Sequence, residues 1–345
     1  MGETDMKLTN FLTATILAAG MLTGPAALAA DFTACQVTDT GGIDDNSFNQ
    51  TAWKGVQDAQ AKLGIKGRFL ESQAETDYEA NINSLLGQCD LIITVGFLLG
   101  DATQKAASAN PNQKFSIVDF AYDPVIPNVV GQVYATDEAA FLAGYLAAGM
   151  TKSGTLGVFG GINIPPVTIF MDGFHYGVDH YNKQKGTNVT VLGWDPSTRS
   201  GLFTNNFESL DDGRAFAQNL YDEGADIVLP VAGPVGLGSA ALADELGVDR
   251  LKIIGVDADL YFTDPEKKHV YLTSITKRMD ETVFDVIEAA MKGEFQGGVI
   301  VGSLANGGVG LAPFHDMEAL VPDELKRELE TIRQQIVDGT IKVGG

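Results

Sequence analysis

Residues 33–63 read TACQVTDTGGIDDNSFNQTAWKGVQDAQAKL, and the architecture follows from this stretch. Thr33–Thr38 is short and β-rich. Gly41 and Gly42 then let the backbone turn tightly. From Ser47 to Leu63 the apolar positions Phe48, Trp53, Val56, Ala59 and Leu63 recur every three to five residues, the spacing of one helix face. Ser47 with Gln50 three residues later predicts a capping box at the helix start. Strand, glycine turn and amphipathic helix, in that order, form the repeating unit of a parallel α/β sheet.

The unit recurs downstream. Strand-like runs follow at Arg68–Leu70, Leu91–Val95, Phe115–Val118 and Val129–Tyr134, and the apolar helix Ala139–Met150 comes after the last of them. The pattern then restarts. Thr155–Phe159, Val189–Trp194, Ile227–Val231 and Lys252–Val256 are predicted strands, with predicted helices Val167–Tyr181 and Arg214–Asp222 between them. The fold class is therefore α/β, with two like-folded lobes of doubly wound parallel sheet. A chain of 345 residues suits two such domains. Strand-like Val270–Ser274, helical Met279–Met291 and strand-like Val299–Gly302 are too little for a third domain and are assigned to the first lobe. The helix Pro322–Asp338, with Pro at its start and Gly339 after its end, is expected on the second lobe. The predicted lobes are 30–136 plus 262–305 and 137–261 plus 306–345, joined by several chain crossings that act as a hinge.

Residues 1–29 read as a signal peptide. Lys7 precedes the apolar run Phe11–Leu22, and Ala27-Leu28-Ala29 supplies the small-residue cleavage site. Asp31 separates that site from Cys35, so no lipid-anchor cysteine is expected. A soluble protein in the periplasm follows, with a monomer as the expected state. The formal net charge of −22 repels phosphate backbones and disfavours a nucleic-acid partner. Export permits a disulfide. Cys35 lies in the first predicted strand and Cys89 just before the third, neighbours in a 2-1-3 sheet. They are either bridged or two buried thiols.

In open α/β sheets, ligands bind beyond the carboxyl ends of the strands. The loops there carry the candidate residues. Asp39 follows the first strand, either capping a turn or meeting a ligand. Phe48 opens the next helix, either as core or stacked on a flat ligand; Asn49 is beside it. Gly96 and Phe97 follow the third strand. Asp137 opens a helix after the fifth, as a dipole partner or a ligand contact. Phe207 sits in a loop of the second half. Residues 230–238 form a strand, a glycine turn at Gly233 and a helix start, where backbone N–H groups can meet an oxygen. No Gly-Lys-Ser/Thr follows, so this is not a phosphate loop. Asp257 or Asp259 can accept two hydrogen bonds from a sugar diol, and Lys277 can donate to the same oxygens. The chain has no Gly-x-Ser-x-Gly elbow and no His-Glu-x-x-His site, and its four histidines lack metal-ligand spacing. Neither a cofactor nor a metal is expected, and the chain does not read as an enzyme.

Several motifs in order resemble the basic membrane protein family, which includes purine nucleoside receptor A. They are Asp39-Thr-Gly-Gly-Ile-Asp-Asp-Asn-Ser-Phe-Asn49, Phe141-Leu-Ala-Gly-Tyr145, Gly224-Ala-Asp226, Ala232-Gly233-x-x-Gly236-x-Gly238, Ile254-Gly-Val-Asp257-x-Asp259, Thr273-Ser-x-x-Lys277 and Gly339-Thr-Ile-Lys-Val343. The resemblance implies a type I periplasmic binding protein that serves an ABC transporter permease. It further implies a purine nucleoside sandwiched between Phe48 and Phe207. Asp39 and Asp137 fall where that family reads the base edge; Gly233, Asp257 and Lys277 fall where it holds the ribose. A binder of free sugar or another small metabolite is the alternative, and a nucleoside hydrolase the enzymatic one.

Overall fold

The computed structural model describes residues 32–344, together with Met1 and Gly2, so the expected cleavage site at residue 29 lies outside the described residues. In chain order the first half contains β1 (Thr33–Val37), α1 (Phe48–Leu63), β2 (Lys66–Leu70), α2 (Tyr78–Leu85), β3 (Leu91–Val95), α3 (Gly100–Ala109), β4 (Lys114–Val118), β5 (Val129–Tyr134) and α4 (Thr136–Met150). Next come β6 (Thr155–Gly160), α5 (Pro165–Lys185), β7 (Thr190–Leu192), β8 (Trp194–Asp195), β9 (Ser200–Gly201), α6 (Leu210–Asp222), β10 (Ile227–Val231), α7 (Gly236–Leu246) and β11 (Lys252–Asp257). The chain ends with α8 (Leu260–Thr263), β12 (Tyr271–Lys277), α9 (Met279–Lys292), β13 (Gly298–Gly302), β14 (Val309–Leu311) and α10 (Asp323–Val337).

Two six-stranded sheets form, in the orders β13-β5-β4-β3-β1-β2 and β14-β12-β11-β10-β6-β7. All neighbours in the first sheet are parallel. In the second, only β14 runs antiparallel to its neighbour β12. The central strand β3, Leu-Ile-Ile-Thr-Val, is buried at every residue, as a parallel strand covered by helices on both faces must be.

One boundary differs from the sequence reading. Residues 271–277 do not join the first lobe; β12 pairs in parallel with β11 and supplies the fifth parallel strand of the second sheet. Tyr271–Ile275 is fully buried there, whereas without it the apolar flank of β11 would be bare. Of the segment 262–305, only α9 and β13 belong to the first lobe. β13 extends that sheet beside β5, and α9 packs on α1. The chain thus crosses between the lobes after β5, β12 and β13.

The second lobe is anchored by a tight helix pair. A Cβ on Gly144 of α4 would lie 2.0 Å from the Phe174 carbonyl oxygen of α5, and one on Gly177 would lie 2.0 Å from the Phe141 oxygen. Only glycine admits that approach. It fixes α5, whose first turn then reaches the cleft between the lobes. The last helix, α10, packs on α4, with Leu325 against Gly149.

Cys35 and Cys89 form a disulfide with Cα atoms 6.0 Å apart, tying β1 to the entry of β3 across 54 residues of chain. Among the described residues no helix is long and apolar enough to cross a membrane. Reducing the disulfide should destabilise the first lobe by about 2–4 kcal/mol. Urea melts with and without reductant check this, alongside thiol titration; an unchanged midpoint with two titratable thiols contradicts it.

Candidate functional site

A cavity lies between the lobes, lined by residues of both. Its walls are strand ends from both sheets. Asp39 follows β1, Gly96 follows β3 and Asp119 follows β4; Val231, Asp257 and Lys277 close β10, β11 and β12. The first turn of α5 adds Pro166, Val167 and Phe170.

Asp45 organises the first-lobe wall. Its carboxylate accepts from the backbone N–H groups of Ser47 (3.0 Å), Asn49 (2.7 Å) and Gln50 (3.0 Å), and so caps α1. The predicted capping box through Ser47 therefore does not form. A second acid upstream took the orphan N–H groups, which freed the serine. Ser47 Oγ instead donates across the gap to the Val256 carbonyl (3.0 Å) and to Asp257 Oδ2 (3.2 Å) of the second lobe.

Asn49 Nδ2 donates to Asp39 Oδ1 (2.7 Å) and Asp45 Oδ2 (3.1 Å). Its own Oδ1 is buried without a partner among the described residues, in a side chain that lines the cavity. Asp39 Oδ1 also accepts from Gly41 N at 3.0 Å. Gly96, at φ +123°, lets Asp39 press against the backbone, since a Cβ there would lie 3.0 Å from Oδ2. Burial pushes the Asp39 carboxyl up to about 6; the Asn49 and Gly41 hydrogen bonds oppose this, while Asp119 and Asp257 add to it.

The second cluster joins the lobes. Lys277 Nζ lies 2.7 Å from Asp119 Oδ2 and 3.4 Å from Asp257 Oδ1, and its side chain is only 3% exposed. The Phe48 and Phe170 ring centroids are each 5.1 Å from the ammonium, and that of Tyr134 is 5.7 Å away. Burial alone would lower the lysine's pKa, but the two carboxylates outweigh it and raise it.

Of the residues named from sequence, Asp39, Phe48, Asn49, Gly96, Phe97, Phe207, Gly233, Asp257 and Lys277 all line this one cavity. Phe48 comes from the first lobe and Phe207 from the second; both rings are half-buried. Phe207 lies over Gly161, where a Cβ would come within 2.3 Å of the ring. Asp259 is turned away: it caps α8 by accepting from Tyr261 N (3.2 Å) and pairs with His315 Nε2 (2.8 Å). Of the two, Asp257 is thus the one at the cavity.

Asp137 does not line the cavity: the start of α4 is packed against α5, where a Cβ on Gly173 would lie 2.4 Å from the Asp137 carbonyl oxygen. A further acid at the cavity is Asp119, directly after β4. The rule that selects Asp39 and Asp257, a carboxylate at a strand's end, finds it equally.

Removing the lysine charge leaves Asp119 and Asp257 facing each other unpaired. Lys277→Met should destabilise the protein by about 3–5 kcal/mol, and adding Asp119→Asn should restore part of that loss. Urea unfolding of the single and double variants measures both; an undiminished midpoint for Lys277→Met refutes the pairing.

Residues 32–345 match a family model described as Bmp, ABC transporter substrate-binding protein PnrA-like. A CD4+ T-cell-stimulating antigen of Listeria monocytogenes is 33% identical over 330 residues, 91% of this chain and 88% of its own length. The ABC transporter nucleoside-binding protein BmpA of Lactococcus lactis is 32% identical, over 91% of this chain and 89% of its own. A crystal structure of an ABC transporter solute-binding protein from Aeropyrum pernix K1 superposes with a TM-score of 0.82 at 27% identity, over 90% of this chain and 92% of that one. With its two parallel-sheet lobes and the cavity between them, this chain belongs to the Bmp family of PnrA-like ABC transporter substrate-binding proteins.

Proposed function

We propose that this binding protein closes on a purine nucleoside, working as an exported periplasmic monomer that delivers its ligand to an ABC permease. The observation that carries the reading is that an aromatic ring from each lobe, Phe48 and Phe207, lines the same cavity. A purine offers two flat faces, and stacking contributes about 1–3 kcal/mol per base. The name of the Lactococcus lactis relative, a nucleoside-binding protein, supports the same ligand class.

The polar groups suit the rest of the molecule. Asp39 accepts hydrogen bonds from ring N–H or exocyclic amino groups, and the unpartnered Asn49 Oδ1 accepts one more. Asp257 accepts from the ribose hydroxyls and Lys277 donates to them. The carboxylates at the cavity outnumber its single lysine, so a nucleoside fits and a nucleotide phosphate is repelled. The family is one of ABC transporter substrate-binding proteins, whose work is to hold and deliver a ligand.

Calorimetry with a panel of nucleosides, bases and sugars tests the reading. Heat only with ribose would replace it with a sugar binder, and free base released from a nucleoside would make it a hydrolase. Phe48→Ala and Phe207→Ala should each weaken nucleoside binding about 5- to 150-fold, from about 1–3 kcal/mol per stacked face, and leave free ribose nearly unchanged. Equal losses for both ligands would reject the stack.

Acid should weaken binding. An ionised Asp39 accepts from the base more strongly than the neutral acid does, so this added contribution is present above pH 6 and is lost as pH falls through about 6. The nucleoside Kd should rise toward about tenfold per pH unit below that point. Asp39→Asn should bind weakly at pH 8 and lose this acid limb; an acid limb unchanged in the variant would assign it to another group.

A further inference from the structure

A second cavity, of about 360 Å³, opens beside the first. The two share Phe97, Asp119, Pro166 and Lys277 as a common wall. Beyond that wall the lining is almost wholly apolar, with Phe120, Val133, Pro165 and Ile169 drawn from both lobes. Tyr134 contributes its ring, because its hydroxyl is engaged by Thr282 Oγ1 at 2.6 Å. Thr136 also lines this cavity. It is 1% exposed, and its hydroxyl is buried without a hydrogen-bond partner among the described residues. A buried polar atom left unpaired requires an explanation, and an acceptor brought in by an occupant supplies one.

The only charged groups on this cavity, Asp119 and Lys277, are paired with each other. An ionic occupant would find no free counter-charge. The occupant is therefore an uncharged apolar group that reaches past the ion pair and brings one acceptor near Thr136. In the nucleoside reading, on which this inference rests, the sugar is the part of the ligand beside Lys277. Its 2′- and 3′-hydroxyls are held there, and the base occupies C1′. C5′ is the one exocyclic position that can carry a substituent without displacing either.

We propose that the second cavity receives an apolar substituent on C5′ of the bound nucleoside. The ligand class then extends from the parent nucleosides to their 5′-ethers and related 5′-substituted forms. The Thr136 hydroxyl donates to the linking oxygen, and Ile169, Phe120 and Val133 cover the alkyl chain.

Calorimetric titration of the purified protein with adenosine and with 5′-O-methyl-, 5′-O-propyl- and 5′-O-butyladenosine tests this. Affinity should hold for the methyl ether and tighten up to about three- to fourfold with each added buried methylene. Ile169→Trp and Ala121→Phe fill the second cavity without touching the first; Ala121 is exposed, so that variant does not disturb the core. Both should weaken the butyl ether at least tenfold and leave adenosine within twofold. Thr136→Val, which preserves the shape, should weaken adenosine and its ethers alike, because O5′ is common to all of them. The proposal is overturned if adenosine binds while affinity falls with chain length, or if the filling variants weaken adenosine and the butyl ether alike. If adenosine and its ethers all fail to bind, the nucleoside reading itself fails and takes this one with it.

Discussion

An ammonium buried between carboxylates of different lobes governs the cleft. Taking Lys277 and two aspartates out of water is expensive, and their mutual attraction offsets that expense only when the geometry is good. Asp257 lies in the lysine's own sheet, but Asp119 is carried by the other lobe, at 2.7 Å. Good geometry therefore exists only when the lobes are together. Ser47 works in the same sense, reaching from the start of α1 to Val256 and Asp257. Bringing the lobes together and assembling the polar site are one event. A ligand that prefers the assembled site shifts the population toward closure without any separate trigger.

The aspartates come from equivalent places. Aligning the sheets strand for strand matches β4 with β11 and β5 with β12. Asp119 and Asp257 stand at the ends of β4 and β11, at φ 64° and 68°, left-handed values that non-glycine residues seldom adopt. After β3 and β10 the chain likewise makes a short 3₁₀ turn, Phe97–Leu99 and Gly233–Val235, before the next helix. The lobes diverge at the end of the fifth strand. There the first sheet presents Tyr134 and the second Lys277, with the ammonium 5.7 Å from the tyrosine ring centroid. Symmetric acids met by one unsymmetric base give the cleft a direction, so that its two ends hold different chemical groups.

Much of this was legible in the sequence because strand ends are legible. Short β-rich runs followed by glycine or aspartate marked the parallel strands, and the loops after them supplied nine of the lining residues. What escaped was set by long-range pairing. No local pattern says that Tyr271–Lys277 joins β11 rather than the first sheet. β14 is three residues of a glycine-rich turn, too short for any periodicity. Asp137 drew attention as an acid at a helix start, a position that serves a helix dipole as readily as a ligand. Asp119 was obscured by the turn-rich segment that follows it, although its place at a strand end matched that of Asp39 and Asp257. Ser47 was read from its spacing to Gln50, yet Asp45 lay close enough to claim the same N–H groups.

On the proposed reading, the groups that meet the base edge, Asp39 and Asn49, both belong to the first lobe. Those that hold the sugar, Gly233, Asp257 and Lys277, all belong to the second. A free base fills the stack that Phe48 and Phe207 offer from opposite lobes but leaves the sugar groups of the second lobe unused. A free sugar leaves the stack and the base-edge groups unused. Each gains less from bringing the lobes together than the joined molecule does, since a ligand shifts an equilibrium only by its differential affinity for the two states. A molecule in which base and sugar are joined uses the stack and both sets of polar groups at once, and it does so only in the closed form. Preference for the nucleoside then needs no group that touches the glycosidic bond.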